Sequence, residues 1–150
     1  MKMNTRMSEL LTQLRISADL RHDIHPGILS ATDFVTVNGS VLLRSEHEKN
    51  RHLKAPDFSD RTGFECFVNH LHLPFNGTRE SLLESLGYAI ALRHALSSFE
   101  GKTFLVIASV ADGECTIRFH QLRENESWVA EDLEGYGSEA ILLLNSRAPA

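Results

Sequence analysis

The apolar positions of this chain change their rhythm three times. Met7, Leu10, Leu11 and Leu14 recur at helical spacing, and Leu20 and Ile24 extend the stripe. That periodicity predicts an amphipathic helix over residues 5–22 that covers one face of a sheet, stopped by Pro26-Gly27. The rhythm then drops to two. Phe34-Val35-Thr36-Val37 and Ser40-Val41-Leu42-Leu43 flank Asn38-Gly39, a hairpin signal because both turn positions need a positive φ. Residues 45–62, SEHEKNRHLKAPDFSDRT, are polar and broken by Pro56, which predicts an exposed loop. A loop of that length inside a compact domain is either mobile or functional. Residues 63–73, GFECFVNHLHL, read as another strand, turned by Pro74 to Gly77. A helix begins near residue 79, capped by Thr78 or by Ser81 with Glu84 in a capping box. Its buried stripe is Leu82, Leu83, Leu86, Ile90, Leu96 and Phe99, Gly87 permits a close crossing over the sheet, and Gly101 ends it.

The remainder, Lys102 to Leu144, forms the centre. Phe104, Val106, Ala108 and Val110 face one way and Leu105 and Ile107 the other, so that strand is covered on both sides. Asp112-Gly113 turns the chain. Cys115, Ile117 and Phe119 then face the core while Thr116, Arg118 and His120 face out. Residues 139–144 supply a further interior strand, and residues 146–150 a frayed tail. The expected fold is α+β: a mixed, largely antiparallel sheet of about five or six strands with two main packed helices, in one domain spanning residues 1–150.

Composition sharpens this picture in two respects. The formal net charge of −5 disfavours nonspecific nucleic-acid binding and suits a basic partner. The acid is concentrated late, in Glu124, Glu126, Glu131, Asp132, Glu134 and Glu139. The first fifteen residues lack the apolar core of a signal peptide and no run is long enough to span a bilayer, so the expectation is a cytoplasmic protein. Two cysteines, Cys66 and Cys115, are compatible with free thiols or with one bridge.

Candidate chemistry is sparse. On one strand, Cys66, His70 and His72 would share a face and offer three metal ligands, although Val68 lies between them and no fourth ligand is fixed by spacing. Cys115 with His120, or Cys66 with His94, are the nucleophile–base pairs to consider, but the first pair has opposite parity and points to opposite faces. Both cysteines read equally as small buried hydrophobes. No phosphate-binding, dinucleotide or hydrolase motif occurs, and no cofactor is expected. Arg118, His120, Arg123, Glu124 and Glu126 form a polar ridge running into Trp128, which is either an interface anchor or a core residue surrounded by Val129 and Leu133.

The order of residues in the last third resembles immunity proteins of bacterial contact-dependent growth inhibition systems. It is carried by Phe104-Leu105-Val106-Ile107-Ala108-Ser109, Asp112-Gly113, Arg118-Phe119-His120, Arg123, Glu126-Ser127-Trp128, Glu131-Asp132-Leu133-Glu134, Tyr136 and Glu139-Ala140-Ile141-Leu142. The resemblance implies a small cytoplasmic protein without catalysis that binds the toxin domain of a cognate effector, commonly a basic nuclease, and blocks its active site; the ligand spacing separately gives no expected metal site. The contact would fall on Glu124, Glu126, Trp128, Glu131, Asp132, Glu134 and Tyr136, with the 45–62 segment as the rival surface. The alternative is a small cytosolic enzyme or metal-binding protein using the Cys66, His70 and His72 face.

Overall fold

The computed structural model describes residues 1–20 and 33–147. Five strands make the main sheet: β1 (Lys2–Met3), β4 (His70–Pro74), β5 (Phe104–Ala111), β6 (Glu114–Gln121) and β7 (Ala140–Asn145). Their order is β1-β7-β5-β6-β4, and every pairing is antiparallel. A separate hairpin joins β2 (Phe34–Val37) to β3 (Ser40–Leu43). Four α-helices accompany them: α1 (Thr5–Gln13), α2 (Arg44–Lys49), α3 (Arg61–Val68) and α4 (Arg79–Leu96). The fold is therefore α+β, and the sheet is wholly antiparallel rather than mixed.

Both tight turns follow from their residue types. Asn38 and Gly39 have φ of 48° and 84°, and Asp112 and Gly113 have 50° and 78°. These left-handed pairs match the twist of the strands they join. α4 is capped as one of the two predicted options: the Thr78 hydroxyl accepts from the Ser81 amide, and Gly101, at φ 71°, closes the connection to β5.

The alternation in β5 divides the interior. Phe104, Val106, Ala108 and Val110 meet Met7 and Leu11 of α1, Leu82, Leu86 and Leu96 of α4, and Ile117 and Phe119 of β6 in the principal core. On the other face Ile107, Ile141 and Leu143 lie under Leu133, Val129 and Tyr136, so residues 129–136 form the second cover. A third cluster packs Phe64 and Val68 of α3 against Leu42 and the hairpin.

Two buried asparagines stitch distant segments together. Asn4 caps α1 through Met7 and exchanges hydrogen bonds with Ile141 and Glu139 at the start of β7. Asn69 accepts from the Leu43 amide at 2.9 Å and donates to the Val41 carbonyl at 3.0 Å, tying the hairpin to the head of β4.

Several expectations are corrected. α1 ends at Gln13, and Arg15 enters the left-handed region at φ 55°. Leu20 nevertheless reaches the core from a non-helical segment. Ile24 and Pro26-Gly27 lie outside the described residues. The 45–62 segment is not one open loop: it contains most of α2, a 3-10 turn at Ala55–Asp57 and the start of α3. Residues 61–68 are helical rather than extended because Asp60 accepts from the Gly63 amide at 2.7 Å and the Phe64–Val68 stripe faces the hairpin. Ser146 does not fray: its hydroxyl accepts from the buried Phe104 amide.

Candidate functional site

The face of the sheet opposite the principal core carries the chemistry. α3 lies over β6 there, and the two are fixed by charge. Glu65 has no exposed surface and accepts from Arg123 Nη2 at 2.6 Å, Arg123 Nη1 at 3.0 Å and the Gln121 amide at 2.8 Å. Burial works against the Arg123 charge, but the contacts from Glu65 prevail and hold its pKa above the ordinary value. Beside this pair sits His120. It is buried rather than facing water, because α3 covers that end of the strand. Its Nδ1 meets the Gln121 carbonyl at 2.9 Å and its Nε2 has no partner. Desolvation lowers its pKa, opposed by the Gln121 carbonyl and Glu65.

Outside this buried knot the surface is aromatic. Phe67 of α3 is 45% exposed and Trp128 is 41% exposed. Arg118 lies 5.7 Å from the centre of the Trp128 ring, a cation–π contact. Across the sheet Arg118 stands opposite His70. The His70 ring is 5.8 Å from Phe67 and 5.1 Å from His72. Phe67, His70, His72, Arg118 and Trp128 therefore form one continuous strip.

The residues expected to contact a partner separate into two groups. Glu124, Trp128 and Glu131 are exposed, and neither glutamate side chain has a hydrogen-bond partner among the described residues. The others also hold the fold, although Asp132 and Glu134 are exposed as well. Glu126 accepts from the Thr62 amide and hydroxyl at 3.0 and 2.8 Å, at the start of α3. Glu134 accepts from the Thr5 amide at the start of α1, and Asp132 caps the 3-10 turn Leu133–Gly135 through the Glu134 amide. Tyr136 packs into the second core, and its hydroxyl accepts from the Ala130 amide. Trp128 is the exposed alternative of the two that its sequence context allowed. Phe67 was missed, because its place in an apolar run hides its exposure.

The one-strand alignment of Cys66, His70 and His72 does not exist. Cys66 belongs to α3 and points into the protein, while His70 and His72 lie on β4. Both cysteines are free and buried. Desolvation raises both thiols, Cys66 strongly and Cys115 to about 11, which keeps them protonated and unreactive. Cys115 and His120 occupy opposite faces of β6, as their parity requires. A cleft of about 380 Å³ between α1 and the β5–β6 turn is lined by Arg6, Glu9, Asp112 and Ser138 among others, with neither cysteine nor histidine. No described helix is long and apolar enough to cross a membrane.

Fold and site thus define an α+β protein with an antiparallel core sheet and an aromatic, charged outer face. The chain belongs to the uncharacterized protein PM0498 family, whose model matches residues 2–148. No curated protein and no solved structure matches it.

Proposed function

We propose that this protein acts by binding another protein, and that its partner is the basic toxin domain of a cognate effector, which it neutralises by covering the active site. The observation that carries the reading is Trp128, 41% exposed at the surface and braced by Arg118. Large aromatics ringed by charge are the residues on which interfaces concentrate their binding energy. Phe67, also exposed, stands at the other end of the strip, beyond Arg118 and His70. The net charge of −5 and the exposed carboxylates Glu124 and Glu131 supply a field that attracts a basic surface and speeds encounter. The toxin identity comes from the resemblance in residues 104–142. In this proposal Trp128, Phe67, Glu124 and Glu131 meet the partner, the exposed Asp132 and Glu134 flank them, and Glu126 and Tyr136 brace the surface through their hydrogen bonds.

The test begins with the neighbouring reading frame, where this proposal requires a large secreted protein with a C-terminal toxin domain. That domain, purified, should bind in the nanomolar range or tighter, with an association rate that falls as salt rises. Trp128→Ala should weaken binding by about 30-fold, the size of a typical hot-spot loss. Absence of such a neighbour, or full-strength binding by the Trp128 variant, would defeat the assignment.

A further inference from the structure

His70 and His72 alternate on β4, so both side chains leave the same face of the strand. Each ring has its Nδ1 occupied by an acceptor. His70 Nδ1 contacts the Phe67 carbonyl, and His72 Nδ1 lies 2.9 Å from a Glu114 carboxylate oxygen. Neither a carbonyl nor a carboxylate can donate, so in each neutral ring the proton sits on Nδ1 and the lone pair on Nε2. Neither Nε2 has a partner among the described residues, and neither is sealed from solvent.

This is the tautomer that coordination through Nε2 requires. Histidines that ligate a metal ordinarily donate their second ring N–H to a carboxylate or a backbone carbonyl, which orients the ring and raises its basicity. Here one histidine has the carbonyl and the other the carboxylate. The ring centres are 5.1 Å apart with planes at 85°. Two imidazoles bound at about 2.0–2.1 Å to one tetrahedral ion place their ring centres about 5 Å apart. The common face follows from alternation alone; the common tautomer and the ring spacing are the features that point to a ligand pair.

We infer that His70 and His72 form an open site for a borderline divalent transition metal, with zinc, nickel or copper(II) held by the two Nε2 atoms. Among the described residues no third histidine, cysteine or carboxylate completes a closed ligand set. The remaining positions therefore fall to water or to a donor brought by an incoming molecule, which makes the site weak and exchangeable rather than structural. Imidazole nitrogen selects these ions over calcium and magnesium. The inference is independent of the toxin-binding proposal, because it concerns the isolated protein.

Trp128, the only tryptophan, reports on the site. It stacks on Arg118, which is the cross-strand neighbour of His70. Untagged protein titrated with nickel chloride at pH 7.5 should lose tryptophan fluorescence along a saturating curve with one equivalent bound, and EDTA should restore it. His72→Ala, and the His70→Ala/His72→Ala pair, should leave only the linear collisional component. Glu114→Ala should weaken the saturating phase by about tenfold, the lower end for loss of a group that orients a ligating histidine. In parallel, zinc should shift the Nε2 resonances of two histidines and leave the others unmoved, a readout that holds even if the double variant folds poorly. A saturating curve unchanged in His72→Ala, a purely linear response of the native protein, or zinc shifts spread evenly over the histidines would each overturn the inference.

Discussion

Replacing Glu65 with alanine removes the charge that holds α3 to the end of β6. The carboxylate is fully buried and receives three hydrogen bonds, two from Arg123 and one from the Gln121 amide. The Arg123 side chain is itself only 16% exposed. Truncation therefore strands a guanidinium and a backbone N–H in a poorly solvated place. Breaking a buried pair from one side costs about 3–5 kcal/mol. That is a large share of the roughly 5–15 kcal/mol that holds a domain together. At roughly 2–4 °C per kcal/mol for a chain of this size, the melting temperature should fall by about 6–20 °C. Urea unfolding followed by circular dichroism at pH 7.5 measures the loss directly. The double variant Glu65→Leu/Arg123→Met separates pair from packing. It removes both charges at similar volume, so it should recover most of the stability. A single-variant loss under 1 kcal/mol would refute the claim that this pair anchors the helix, and a double variant no better than the single one would assign the cost to packing.

Two further perturbations probe the same architecture. His120 has a folded pKa below its unfolded value of about 6.5. The unfolded chain therefore takes up the proton first, and the fold loses stability as pH falls below about 6.5. Urea midpoints at pH 7.5 and 5.5 should fall further apart in the native protein than in His120→Asn; equal differences would exclude His120 as the source. Asn69→Ala leaves the Leu43 amide and Val41 carbonyl without their side-chain partners. It should cost about 3 kcal/mol, and amide exchange should accelerate first in residues 34–43 while β5 and β7 stay protected. Uniform acceleration across all strands would show that the hairpin is not separately clamped.

Much of this fold was legible because its strands are local. Residues 104–121 carry a period of two around Asp112-Gly113, and Phe34 to Leu43 carry it around Asn38-Gly39; turn chemistry and alternation agree in both. α4 was legible from its length and its Thr78 cap. α3 was not. Eight residues give barely two turns of periodicity, and Phe, Cys and Val favour a strand locally. Beyond its local Asp60 cap, the helix is held by partners far along the chain, Glu126 at its first turn and Arg123 at its middle. The same distance hid the site. Glu126 and Glu134 look like free surface charge in sequence because nothing nearby reveals the Thr62 and Thr5 amides that they serve. The tautomers of His70 and His72 were equally invisible, since Phe67 and Glu114 meet them only once α3 and β6 are in place.

β4 ends on Pro74 at the outer margin of the main sheet. Pro74 stands opposite Glu114 between the hydrogen-bonded positions of the ladder, so the missing N–H falls on the side turned away from β6. A foreign strand that tried to zip along this margin would find its last rung without a donor. The strand spans only five residues, so one absent rung is a substantial fraction of the available ladder. Pro74→Thr would supply that rung, and concentrated solutions of such a variant should drift toward fibrous or self-associated material that the native chain resists.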